Sequence, residues 1–267
     1  MPSRKNPADD LAPATMSEAD GVRYLHLGTP WVQGAMRVRK PQSLELEYIQ
    51  RMMAWMLFRP ESEVAKGHAV QLGLGAAAIT RFCQGVMKMR TTAVELNPTV
   101  IAACRLWFRL PDDGAKLKVL NMDAAEYAAD ADKAGTADAL CVDLYDHEAA
   151  SRVLDSEAFY RDCHALLADG GVMSVNLFGR DASFERSARR IARAFGAGQL
   201  RTLRPTKEGN TIVIAVKPAG DAFEMPGRDE LAARAENIET RFQLPARKWL
   251  RMIRELPADL DLLGRSG

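Results

Sequence analysis

The chain has 267 residues, 47% apolar and 27% charged, with 36 Lys+Arg against 35 Asp+Glu and a net charge of +1. That balance gives no bulk field toward nucleic acid or an acidic membrane. No apolar run reaches the ~18 residues that would span a bilayer, and the length suits one large domain with appendages.

Residues 1–20 lack the apolar stretch of a secretory signal and read as a disordered tail, which leaves a cytoplasmic protein as the expectation. RYLHLG and WVQGAMRV flank Thr29-Pro30 and predict a hairpin over 23–38. A helix is expected over 43–58, capped by Ser43, with Leu44, Tyr48, Met52 and Trp55 on one face. Together these form an N-terminal unit, residues 21–60.

After Pro60 and Gly67 the pattern changes. AVQLGLG reads as a buried strand ending in glycine, and AAAITRFCQGVM as a helix. TTAVEL is a strand, and PTVIAACRLWF a helix with Pro98 in its first turn. LKVLNM is a strand ending at Asp123, and ADALCVDLYD a strand ending in acids. SEAFYRDCHALL, GGVMSVNLF and ASFERSARRIARAF continue as helix, strand and helix. QLRTLRP and NTIVIAVKP are strands separated by a short turn containing Lys207-Glu208-Gly209, so they must pair antiparallel.

Strands alternating with helices predict a parallel α/β sheet. Residues 61–218 thus read as a Rossmann-like α/β domain, a seven-stranded sheet with an antiparallel closing hairpin. That ending is typical of the S-adenosylmethionine-dependent methyltransferase-like fold. Residues 219–267 read as a C-terminal helical extension. Its apolar stripes, Leu231, Ala235, Ile238, Phe242 and then Trp249, Met252, Ile253, Leu256, are expected to cover the sheet domain or a second subunit.

Cys83, Cys104, Cys141 and Cys163 are widely spaced among apolar residues and read as buried reduced thiols. Neither they nor the four histidines show metal-ligand spacing, so no metal is expected. Arg186, Arg189, Arg190, Arg193, Arg201, Arg204 and Lys207 make a basic stretch without interleaved aromatics. A solvated face explains it better than nucleic-acid binding.

The glycines Gly73 and Gly75 follow the first strand of the sheet domain and open its first helix. They let backbone approach a ligand closely, at a helix N-terminus that favours negative charge. Glu95 ends the next strand, 20 residues after Gly75, where a carboxylate can take both hydroxyls of a ribose. Asp123 ends the third strand, placed to accept from an adenine amino group. The glycine spacing also suits a nicotinamide dinucleotide, but the hairpin ending and the acids after the fourth strand argue against it.

Those acids are Asp143 and Asp146, in VDLYD. An alkylamine with a pKa of ~10.4 is protonated at pH 7, and freeing its lone pair costs about 4–5 kcal/mol. A neighbouring carboxylate can bind the ammonium and then accept its proton. A sulfonium is cationic too, so an acidic pocket suits both partners of a sulfonium-to-amine transfer.

Over roughly residues 23–217 the chain resembles the spermidine synthase (polyamine aminopropyltransferase) family. The resemblance rests on the hairpin with Gln33, the Tyr48 helix, GLG at 73–75, VELNP at 94–98 and NMDA at 121–124. VDLYD at 142–146, SEAFYRDCHALLADGGVMSVN at 156–176 and KEGNTIVIA at 207–215 complete it. It implies aminopropyl transfer from decarboxylated S-adenosylmethionine to putrescine or a similar polyamine, with no permanently bound cofactor. It further implies a homodimer; the charge balance and hydropathy leave no nucleic-acid or membrane partner expected. By the same resemblance Glu95 holds the ribose, Asp123 and Ala124 the adenine, and Gln33 lies near the nucleoside with Gly73 and Gly75. Asp146 binds and deprotonates the attacking amine, Tyr48 lies beside it, and Asp143 faces the sulfonium.

The chain departs from the family pattern at several positions. Ala76 stands where a GGGDG-type loop has its aspartate, Ile49-Gln50 where His-Glu follows the tyrosine, Asn176 in place of a glutamine, and His147 in place of a proline. Two other readings compete: an S-adenosylmethionine-dependent methyltransferase of unknown acceptor, and a catalytically degenerate relative acting as a binding or scaffold subunit.

Overall fold

In the computed structural model, which describes residues 11–144, 152–178 and 182–256, the alternating pattern builds one large sheet and one small one. The small sheet holds β1 (Ala14–Ala19), β2 (Val22–Leu27) and β3 (Gly34–Arg37), all antiparallel. Residues 14–19 were expected in a disordered tail and instead form β1, in register from Ala14 opposite Leu27 to Ala19 opposite Val22. The sequence conceals this strand because only Ala14 and Met16 turn apolar side chains toward the core. Backbone pairing holds the remainder, and Ala14 N–H donates to the Thr99 hydroxyl.

Helix α1 is shorter than expected, Glu47–Met52, and continues as a 3₁₀ segment, Met53–Phe58. Ser43 does not cap it; its hydroxyl donates to the Lys40 carbonyl, and Leu46 sits at the N-cap. Residues 52–58 are buried on every side, which a one-sided helical stripe does not anticipate.

The large sheet contains β4 (His68–Leu72), β5 (Arg90–Glu95), β6 (Leu117–Asn121), β7 (Ala137–Val142), β8 (Leu167–Phe178), β9 (Leu200–Leu203), β10 (Asn210–Val216) and β11 (Ile253–Glu255). Their order is β11-β9-β10-β8-β7-β4-β5-β6. Strands β4 to β8 run parallel, and β9, β10 and β11 pair antiparallel. The sheet therefore has eight strands where seven were expected. The additional strand comes from the C-terminal extension: Ile253 in the second predicted stripe lies on the sheet edge, and only Trp249 of that stripe is helical.

One face of the sheet is covered by residues 52–58, α2 (Ala78–Arg81) with its π-helical continuation Phe82–Val86, α7 (Arg228–Phe242) and α8 (Ala246–Leu250). Ala235, Ile238, Phe242 and Trp249 of the extension pack into this core. The other face carries α4 (Ala124–Ala129), α5 (Glu157–Leu166) and α6 (Ala182–Phe195). Helix α3 (Pro98–Trp107) packs with the small sheet through Leu25, Met36, Cys104 and Phe108. All four cysteines are buried and unpaired.

The chain runs outward from β4 to β5 and β6, then returns to β7 and β8 on the other side. That reversal opens a crevice at the C-terminal ends of the central strands, where α/β sheets bind ligands.

Candidate active site

The loop after β4 is shaped by its backbone. Gly73 has φ +86°, and a Cβ there would stand 2.0 Å from the Asp143 carbonyl oxygen. Only glycine fits. Gly75 has φ +50°, and its α-carbon faces the carbonyl of Gln33, the residue before β3. Ala77 adopts the left-handed conformation, so α2 begins at Ala78.

Glu95, at the end of β5, ties this loop to the next. One carboxylate oxygen accepts the Leu74 N–H at 2.9 Å and the other the Asn97 N–H at 2.9 Å. Each oxygen retains a lone pair. Burial pushes its pKa up, against those backbone donors, and the Asp143 charge pushes the same way as burial. Asn121 on β6 donates to the carbonyls of Glu95 and Leu96 and fixes the end of that strand.

Asp123 lies at the neighbouring strand end as the N-cap of α4. Its Oδ1 accepts the Ala125 N–H at 2.6 Å, so half of the carboxylate serves the helix. Ala124 is the first residue of that helix, with its side chain buried.

Gln33, Tyr48, Gly75, Ala76 and Asp143 surround one pocket, with Ile49 and Leu46 on its apolar side. The space between them is about 10 Å³, the room of a single water. Asp143 Oδ1 accepts the Asn176 amide at 2.8 Å, and the Tyr48 hydroxyl donates to the same carboxylate. Burial raises the Asp143 pKa and these two donors oppose the rise. Two half-buried carboxylates facing one crevice favour a cationic ligand. Asp146, with Tyr145 and His147, lies outside the described residues. Among the described residues, no group of three or more His, Cys, Asp and Glu could hold a metal ion.

No family model matches the chain. A polyamine aminopropyltransferase of Neisseria meningitidis serogroup A is 32% identical over 236 residues, covering 88% of this chain and 86% of that protein. The chain belongs to the polyamine aminopropyltransferase family. A polyamine aminopropyltransferase of Chromobacterium violaceum is 30% identical, with 90% and 89% covered. Solved structures agree in fold. A probable spermidine synthase from Corynebacterium glutamicum has a TM-score of 0.66 at 19% identity, over 89% of this chain and 90% of that one. Human methyltransferase-like protein 13, in complex with SAH, scores 0.62 at 21% identity, over 80% and 96%.

Within this aminopropyltransferase the departures noted in the sequence have structural places. Ala76 is buried against Gly34, whose position leaves no room for a Cβ: one would stand 2.5 Å from the Ala76 nitrogen. Ile49 lines the pocket, whereas the Gln50 side chain turns away to donate to the Leu44 carbonyl.

Sequence reasoning missed the residues that hold the loop from behind. Gln71 is buried in β4; its amide donates to the Gly73 and Leu74 carbonyls and its oxygen accepts from Thr80. A polar residue in the otherwise apolar run AVQLGLG was the available signal. Arg81, also buried, donates to the carbonyls of Ala76, Phe108 and Pro41, and burial lowers its pKa to about 10. Cys104 donates its thiol hydrogen to the Gly75 carbonyl at 3.1 Å. The Gly75 and Ala76 carbonyls are thus engaged by Cys104 and Arg81 in the protein interior.

Proposed function

We propose that the protein transfers the aminopropyl group of decarboxylated S-adenosylmethionine to a polyamine such as putrescine. Family membership over most of the chain supports this and disfavours the methyl-transfer and non-catalytic readings. The observation that carries it within the molecule is the Asp143 carboxylate, bonded to Tyr48 and Asn176 and sharing a pocket with Gln33 and Gly75. It is an anionic, partly dehydrated site beside a loop suited to a nucleoside.

In this reading Glu95 receives the ribose hydroxyls through its remaining lone pairs. Asp123 and the Ala124 N–H meet the adenine, and Gly73, Gly75 and Gln33 border the nucleoside. Asp143 faces the sulfonium, and Tyr48 and Asp146 face the attacking amine. The amine nitrogen attacks the propyl carbon bonded to sulfur. The C–N bond forms as the C–S bond breaks, and its electron pair stays on sulfur, giving a neutral thioether nucleoside. The proton lost by nitrogen passes to Asp146 and on to solvent. Charge falls on the donor as the bond breaks, so no covalent intermediate is required. The protein contributes position and a proton acceptor.

The protein acts as a homodimer in the cytoplasm in this proposal, without membrane or nucleic-acid partners. Among the described residues no helix is long and apolar enough to cross a membrane. Parallel calorimetric titrations with decarboxylated and carboxylated S-adenosylmethionine test the donor. Tighter binding of the decarboxylated form is expected; preference for the carboxylated form would overturn the reading.

A further inference from the structure

Asn176 is buried near the C-terminal end of β8, at 2% exposure, with polar groups on both sides. Toward β7 its amide nitrogen donates to Asp143 Oδ1 at 2.8 Å. Toward β10 its amide oxygen accepts from the Asn210 amide nitrogen at 3.2 Å. The turn at Thr206–Gly209 sets the register that makes this possible. It pairs Asn210 with Phe178 and Ile212 with Asn176, so the two asparagines are diagonal neighbours on one face. Asn210 is oriented in turn. Its N–H donates to the Thr206 hydroxyl oxygen at 3.2 Å, which leaves the hydroxyl hydrogen for Asn210 Oδ1.

The chain Thr206, Asn210, Asn176, Asp143 therefore has one polarity, every hydrogen pointing toward the carboxylate. An amide has two faces, one donating and one accepting. Turned over, Asn176 would set its carbonyl oxygen against Asp143, an arrangement tolerable only to a protonated carboxyl. The Asn210 amide hydrogen makes that reversal costly.

We propose that Asn210, outside the pocket itself, is a positioning residue that holds the Asn176 amide in the orientation keeping a donor on Asp143. The functional meaning rests on Asp143 facing the donor sulfonium: an ionised carboxylate attracts that cation and a protonated one does not. Other groups bear on Asp143 from each packed element. Tyr48 donates from α1 and the buried Cys141 thiol lies on β7 itself. The Glu95 charge interacts with it from β5, and the β4 loop presents backbone at Gly73. No cation among the described residues supplements them, so the amide chain and Tyr48 are its hydrogen-bond support.

The test reads Asp143 directly. The protein is labelled with 13C at aspartate carboxyl carbons, and the Asp143 resonance is identified by its loss in Asp143→Asn. Its titration is then compared in the wild type, Asn210→Ala and Asn210→Asp. The expected result is an upward move of about one pH unit in Asn210→Ala. A larger move is expected in Asn210→Asp, which is close to isosteric and retains the fold if the alanine variant does not. It presents an acceptor that pulls the Asn176 amide around, and its added negative charge pushes the Asp143 titration the same way, so the neutral alanine variant isolates the amide's part. An Asp143 titration unchanged in Asn210→Asp overturns the proposal. The measurement needs no turnover. A wild type inactive in aminopropyl transfer would remove the functional reading while the titration still decides the positioning role. In an active enzyme, the acid limb of kcat/KM should move with the resonance.

Discussion

Glu95→Gln separates the cost of a site from its use. The carboxylate accepts one backbone N–H on each oxygen, from Leu74 and from Asn97. Glutamine keeps the shape but replaces one acceptor with an NH2 group, which must then face a backbone N–H. One of those hydrogen bonds is lost, at about 1–2 kcal/mol. Against this, burial raises the Glu95 pKa, so the folded protein disfavours its charge, and a neutral amide relieves that penalty. The two effects oppose, and the variant should unfold within about 1 kcal/mol of the wild type. Binding has no such offset. A ribose would lose charge-assisted hydrogen bonds worth about 1.5–3 kcal/mol each, so affinity for decarboxylated S-adenosylmethionine should fall roughly 100-fold or more. Urea denaturation and calorimetric titration on the same preparation measure both. Affinity within threefold of wild type would refute the ribose assignment. A large stability loss would refute the opposing-terms argument.

Gly73→Ala forces an L residue into φ +86° with its Cβ 2.0 Å from the Asp143 carbonyl oxygen. That backbone cannot yield freely, because Asp143 N–H is bonded to the Leu72 carbonyl at 2.9 Å. A loss of about 3 kcal/mol or more is expected, roughly 6–12 °C in Tm, with activity lost too. Calorimetry checks it, and a melting point within 2–3 °C of wild type, about 1 kcal/mol, would contradict the geometry. His68 is held neutral at the opposite end of the sheet by burial and the nearby Arg90 charge, with its pKa lowered to about 4. A base with a folded pKa below its unfolded ~6.5 adds stability that is complete above pH 6.5 and is lost as pH falls toward 4. The full shift is worth up to about 3 kcal/mol, reduced by solvent screening to about 1–2 kcal/mol. Glu95 and Asp143, both raised, oppose this slope. Urea midpoints at pH 7.5 and 5 should therefore converge in His68→Gln relative to wild type. Tyr48→Phe removes a donor from Asp143 while keeping the ring. It should lower kcat about tenfold and leave nucleoside affinity nearly unchanged, as steady-state kinetics and titration would report.

The parts of the fold legible in sequence were those where one residue type has one physical reason to be present. Glycines after a buried strand, an acid at each following strand end, and a short turn between two apolar runs made the crevice and the closing hairpin legible. Strand β1 stayed hidden because edge pairing stabilises it more than side-chain burial. The 3₁₀ stretch at 53–58 and the sheet-edge strand at 253–255 were misread because full burial and a short strand both mimic an amphipathic stripe. In the site, Gln33, Tyr48 and Asp143 come together although 95 residues separate the second from the third. That assembly was legible only by resemblance. Gln71, Arg81 and Asn210 act through backbone carbonyls or another amide, and such pairings depend on strand register that sequence alone does not fix.

The central claim is tested most directly by turnover. Purified protein is incubated with decarboxylated S-adenosylmethionine and putrescine, and products are followed by mass spectrometry against S-adenosylmethionine in parallel. The account predicts spermidine and a thioether nucleoside appearing in equal amounts from the decarboxylated donor, and their loss in Asp146→Asn. Methylated amine from S-adenosylmethionine, with no aminopropyl product from the decarboxylated donor, would contradict it.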